Sequence, residues 1–348
     1  MPTNSNHNEL LRLLRGAGVV LDKFYARQSR QLASVIARYR VRNTADIWKD
    51  NPALEREVDA ILGTMRKEFA VLLRNQMQRG VRLSDIHADA LVAQYAKSRG
   101  LSESDYLSQL SRSTAAAEAW IALRVKDFAL SPRVWKIDTQ TKAQLAELLK
   151  AGIAEGRDAA SLAGDIKSYL RNPNRRFRRV RNAAGKLVLS EPAKNYKPGR
   201  GVYRSSYRNA LRVTRNEINI AYRRNDYNRI QKMDFVKGIR VNLSPAHPVY
   251  DICDELQGEY PKKFKFYGWH PNCLCFVTTV LATREEFISS RRTGEKIKTR
   301  VKKIPQRAFN YLNENADTIK GWSSRPMFIQ DNFKNSKNGF ALKTFVTK

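Results

Sequence analysis

The chain has 348 residues, 42% of them hydrophobic, a formal charge of +31 and a pI near 10.3. That length and apolar content allow more than one packed core and exclude a disordered tail, while so large a charge makes the compact state repel itself unless a polyanion is close. There is no run of about 18 apolar residues, and the opening MPTNSNHNEL lacks a basic-then-apolar leader pattern, so the expectation is a protein without a membrane span, used in a reducing cytoplasm.

The charge is uneven. Residues 1–170 carry 26 Lys+Arg against 19 Asp+Glu, and residues 171–348 carry 38 against 14. In the first half, apolar residues at helical spacing predict a helix pair over 10–40, broken near Gly16 and Gly18, and a helix over 52–78 opened by Pro52. Ser102 and Asp105 form a capping-box pattern ahead of a stripe from Leu107 to Phe128 that ends at Pro132. Asp138 or Thr139, and then Asp158, are positioned to cap two more helices. No catalytic arrangement stands out in this all-α part, and His7 and His87, alone among polar residues, read as solvated surface.

The composition then changes. Residues 171–208 hold 12 Lys+Arg and one acid, and the prolines and glycines among them rule out a long helix; apolar residues around Gly185 predict a short hairpin. This basic arm offers Arg175, Arg176, Arg178, Arg179, Arg181, Lys186, Arg200 and Arg204 to phosphates or to an acidic protein surface. Ser205 or Ser206 is placed to cap a long arginine-rich helix in which Glu217 reads as one half of an ion pair. Strand-like runs at 235–243 and 276–281 bracket the region richest in metal-ligating side chains.

Between these runs, 247–275 contains all three cysteines and two of the four histidines. Cys253, His270, Cys273 and Cys275 are the soft and borderline ligands a tetrahedral zinc ion selects, and one such structural ion could fasten a segment with little core of its own. Gly268, Pro271 and Asn272 write the sharp turn that the closely spaced Cys273 and Cys275 require. Two alternatives stay open: plain buried thiols, or a disulfide from Cys253 to one of the others. His247 competes with His270 as a ligand. Beyond Thr283, Ala308, Phe309, Leu312 and Ile319 predict a helix after Pro305, and the final residues look poorly cored, as if ordered only against a partner.

The order of these features over residues 140–285 resembles the phage head morphogenesis family, the phage Mu protein F-like minor head proteins. Thr214, Arg215, Asn216 and Glu217 with Ala221 resemble its helix signature; Cys253 with Leu256 and Gly258 resembles its cysteine turn; His270, Pro271, Cys273 and Cys275 resemble its closing motif. Asn216 stands where the family usually has threonine, and Leu274 where it usually has arginine. The resemblance implies a low-copy, non-enzymatic structural protein of the virion. It would be made in the host cytoplasm and placed at the portal vertex or capsid interior, with the portal or major capsid protein and packaged double-stranded DNA as partners, and with no membrane or small-molecule substrate.

The expected fold is α+β: a mainly helical N-terminal region, then a small mixed α/β domain whose hairpin or sheet holds a Cys/His knot. The expected divisions are a helical region at 1–135, a helical lead-in at 136–170, the basic arm at 171–204, the long helix and Cys/His domain at 205–285, and a basic extension at 286–348. Two other functions suit the same residues. One is a zinc-dependent nuclease or hydrolase using His247 and Asp251, and the other a stand-alone zinc-knot module that binds nucleic acid.

Overall fold

The computed structural model describes residues 4–39, 41, 46–102, 106–110, 112, 114–126, 136–154, 156–173, 179–191, 194, 203–247, 249–322, 325–336 and 339–343. The fold is α+β, with helices throughout the first half and small antiparallel sheets after it. It divides into two compact units: 14–76 with 120–215, and 1–13 with 77–119 and 216–348.

Helix α1 runs unbroken over Asn4–Ile36, not as a pair. Gly16 and Gly18 each cost a helix about 1 kcal/mol, but the buried stripe Leu10, Leu14, Ala17 and Leu21 passes straight through them and outweighs that penalty. Helix α2, Pro52–Arg99, begins at the expected proline and continues 21 residues past Gln78, because Val81, Ala88, Val92 and Tyr95 extend the buried stripe. Helix α3 is Thr114–Val125 and α4 Ile137–Ala154; α4 starts ahead of both expected caps, with Asp138 in its first turn. Asp158 does cap, accepting from the Ser161 amide, but the segment is two short helices, α5 (Ala159–Ala163) and α6 (Ile166–Arg171). The capping pair Ser102 and Asp105 and the Phe128 to Pro132 helix end fall partly or wholly outside the described residues.

In the unit of 14–76 and 120–215 the core is mostly aliphatic: Leu21, Leu32, Leu54, Val58, Met65, Leu145, Leu148 and Leu162 are each fully or almost fully buried. The expected hairpin is present there, β1 (Arg179–Arg181) pairing antiparallel with β2 (Leu187–Leu189) across a turn in which Gly185 takes φ 72°. Ser205 caps helix α7, Ser206–Lys232: its hydroxyl accepts from the Arg208 amide at 3.1 Å.

The other unit is built on a three-stranded antiparallel sheet in the order β4-β3-β5, from β3 (Val236–Asn242), β4 (Gly258–Pro261) and β5 (Phe276–Leu281). The two outer runs therefore pair as expected and enclose the Cys/His insert, which also holds a short helix, α8 (Ile252–Leu256). Helices α9 (Arg284–Thr293), α10 (Gln306–Glu314), α11 (Ala316–Lys320) and α12 (Met327–Asn332) come next, and then a hairpin of β6 (Phe333–Ser336) and β7 (Gly339–Leu342).

Two expectations fail here. The insert is not coreless: Trp269, 1% exposed, is packed by Phe266 at 4.7 Å, Phe328 at 4.9 Å, Tyr260 at 5.8 Å and Phe264 at 6.1 Å. Nor is the end of the chain uncored as far as residue 343, since Phe328, Phe333 and Phe340 bury into that same cluster. Their spacing follows no single period, because three short elements each supply one or two of them.

Candidate metal centre

Two turns bring the ligands together. Asp251 caps α8 by accepting from the Cys253 amide at 2.6 Å, and Asp254 reaches back to the Asp251 amide at 2.8 Å. This capping box fixes Cys253, fully buried, at the helix start. The second turn depends on unusual backbone: Gly268 takes φ 113°, and Asn272 takes φ 63°, the one positive φ of a non-glycine among the described residues. Asparagine tolerates that left-handed conformation better than most residues, and it folds Cys273 back so that its amide donates to the His270 carbonyl at 3.1 Å.

Cys253 Sγ lies 3.1 Å from His270 Nε2 and 3.8 Å from Cys273 Sγ. These three ligand atoms all fall within 4.8 Å of one another, a group that could hold a metal ion. The other ring nitrogen of His270 faces the Pro271 carbonyl at 2.8 Å, which orients Nε2 toward the thiols, as the outer partners of ligating histidines do. Cys275 is buried and interacts with both other thiols, but it is not in the set of three. A second set overlaps the first: His247, Asp251 and Cys253 also fall within 4.8 Å. His247 Nε2 contacts Asp254 at 3.0 Å and lies 3.7 Å from Asp251. All three cysteines are free thiols, so no disulfide forms.

The site is braced from α7 by two residues one helical turn apart, whose importance the sequence alone did not reveal. Asn219 donates to the Cys273 carbonyl at 3.0 Å, and Arg223 donates to the carbonyls of Cys273 at 3.1 Å and Cys275 at 2.5 Å. The guanidinium also lies over the Phe266 ring, 4.7 Å from its centroid. Gly268 leaves room for it, since a Cβ there would stand 2.7 Å from Arg223 Nη1. The available signal was an asparagine and an arginine four apart on a helix preceding a cysteine turn that leaves carbonyls to satisfy.

The thiols perturb one another. Hydrogen bonds from Cys253 and Cys275, with the positive Arg223 adding to them, pull the Cys273 thiol far below its usual range. Hydrogen bonding to Cys273 and Cys275 and burial push Cys253 up. The three thiols therefore titrate as one hydrogen-bonded group rather than as separate side chains.

Of the remaining expected residues, Arg215 donates to the Leu14 carbonyl at 3.1 Å, Glu217 is buried, and Gly258 takes φ 134° with the Pro305 ring where a Cβ would be. Pro271 is exposed in the turn from His270 to Cys275. In the basic arm Arg181 and Lys186 are exposed and Arg204 half-buried; Arg179 lies in β1, and Arg175, Arg176, Arg178 and Arg200 lie outside the described residues.

His7 and His87 are not solvated surface, since both are 5% exposed. His7 stacks on Phe276 and meets Ser244 Oγ at 2.9 Å, and His87 bridges the Tyr222 hydroxyl at 2.8 Å and Glu9 at 3.1 Å. They line a cavity of 110 Å³ together with Tyr222 and Asp226. Burial, with the Arg223 charge adding to it, lowers His7 to about 4, whereas burial raises the Asp226 carboxyl to about 7.

No protein-family model, curated protein or solved structure matches the chain. Among the described residues no helix is long and apolar enough to cross a membrane.

Proposed function

We propose that the chain is a minor head protein of a tailed phage, a non-enzymatic assembly component at the portal vertex or capsid interior that lies against packaged double-stranded DNA, and that its Cys/His group holds one structural zinc ion. The observation that carries the metal reading is the 3.8 Å between Cys253 and Cys273 sulfurs. Two thiolates each about 2.3 Å from a tetrahedral zinc stand about that far apart. Cys253, His270 and Cys273 would be ligands, with Cys275 or His247 as the fourth. Bound zinc would supply a cross-link that closes the insert between β3 and β5.

The head-protein reading is supported by the way the motifs meet. The helix bearing Thr214 to Ala221 also bears Asn219 and Arg223, which hold the carbonyls of the closing His-Pro-Asn-Cys-Leu-Cys turn. A charge of +31 suits a molecule working beside close-packed nucleic acid. The nuclease reading has one observation in its favour, the second set of His247, Asp251 and Cys253. Yet Asp251 Oδ1 caps α8 while its Oδ2 faces His270 Nε2 at 3.3 Å, and His247 is turned to Asp254.

Metal analysis of purified protein is expected to give one zinc per chain, and Cys273→Ser to lose it. A metal-free wild type that melts cooperatively would refute the zinc site. For location, the chain should co-purify with DNA-filled heads and the portal protein; recovery only from the soluble lysate would overturn the assembly role. Metal-dependent duplex cleavage, lost in Asp251→Asn, would favour the nuclease.

A further inference from the structure

Residues 291–303, RRTGEKIKTRVKK, hold seven Lys+Arg and one acid, the densest described run of positive charge. Elsewhere in the same unit several cations are paired with acids: Arg240 with Glu259, Arg307 with Glu255 and Lys237 with Glu286. Along this segment only Lys298 reaches an acid, Glu295 at 3.7 Å; among the described residues Arg291, Arg292, Lys296, Lys302 and Lys303 are exposed without a partner. The C-terminal dipole of α9 accounts for Arg291 and Arg292. It does not reach the cations beyond Gly294, where the helix has ended.

The segment is irregular but firmly held. Ile297 is buried in the aromatic core, Thr299 donates to Glu286 at 2.5 Å, the Val301 amide donates to the Lys237 carbonyl at 3.2 Å, and Val301 sits where a Cβ on Gly238 would clash. Its apolar side chains point inward and its lysines outward, so the cations are presented on a fixed backbone and little chain entropy is lost when they are used.

We infer that this ridge is a phosphate-backbone contact for double-stranded DNA, separate from the 171–204 arm. It rests on the proposed function only in the choice of duplex DNA as the polyanion. The composition distinguishes nucleic acid from an acidic protein: protein interfaces are anchored by exposed aromatic or aliphatic residues and are poor in lysine, whereas phosphate contacts need cations alone. No large apolar side chain in 291–303 is exposed, and four of its seven cations are lysine. Point charges on a backbone read no bases, so binding is indifferent to sequence.

The experiment measures affinity of the full chain for two unrelated 24-base-pair duplexes against NaCl concentration. Replacing Lys296, Lys298, Lys302 and Lys303 with Gln should lower the log–log salt slope by about 3 to 4, since each phosphate contact contributes about 0.9. Unchanged zinc content and melting would show the fold intact, and the same four positions as Arg should restore the slope. Equal slopes for wild type and the Gln variant, with the slope lost instead on deleting 174–200, would overturn the ridge while leaving DNA binding in place. A wild type that binds neither duplex would sink the ridge and the DNA contact of the proposed function together. Capture of polyglutamate as tightly as DNA at matched charge would overturn it in favour of an acidic protein surface.

Discussion

The two compact units solve the same problem differently. In the unit of 14–76 and 120–215 the core comes from long helices whose aliphatic residues recur every third or fourth position and whose backbone satisfies itself. In the unit containing the sheet, much of the chain between short elements is irregular, and side chains must meet its backbone groups. Arg223 and Asn219 serve the cysteine turn. Asn332, fully buried, bonds the amide and carbonyl of Lys265, and Lys262 reaches the Met233 carbonyl at 2.8 Å. The periodic core tolerates small losses locally. The irregular one depends on a few polar staples and one aromatic centre.

The largest expected break in that comparison is chelation. Stripping the proposed zinc ion should abolish the near-ultraviolet signal of the Trp269 cluster while helical signal from the aliphatic unit persists; a single concerted loss of both would show that the units do not differ in this way. Core truncation comes next. Trp269→Ala should cost about 3–5 kcal/mol and lower zinc retention, whereas Leu148→Ala should cost about 2–5 kcal/mol with zinc content unchanged, both read from urea unfolding and metal analysis.

Smaller still is Arg223→Met, which should weaken metal affinity about 10- to 100-fold in a chelator competition, with Arg223→Lys falling between. The smallest effects are in pH. Asp226 carries a raised folded pKa of about 7, so the stability it confers is present below the ordinary carboxyl range and lost as pH rises through 7. Asp226→Asn should therefore melt a few degrees above wild type at pH 8 and no higher at pH 4. His7, lowered to about 4, acts oppositely: its contribution is present above 6.5 and lost as pH falls through 4. His7→Gln should flatten that acid limb. Glu9, His87, Tyr222, Arg223 and Arg229 are the charged or titratable neighbours that would have to stay unchanged for both readings to hold.

Legibility in the sequence divides along the same line. Pro52, Asp158, Ser205 and Pro305 marked real helix starts, because capping is a local matter of one side chain and one turn. The pairing of the 236–242 and 276–281 strands and the approach of Cys253 to His270 and Cys273 were legible because few residue types can do those jobs. The burial of His7 and His87 was not, since their partners Ser244 and Tyr222 lie 237 and 135 residues further on. Nor was the packing of Phe333 on Phe264 and of Phe340 on Phe333, or the role of Arg223, which in sequence is one arginine among many.

The grip of Arg223 on carbonyls 50 and 52 residues downstream also sets a timetable. The helix is made first and the turn it must hold leaves the ribosome later, so the cysteines meet in their final spacing only once that long excursion has closed. On the proposed metal reading, ion capture would follow the closing of that turn onto Arg223.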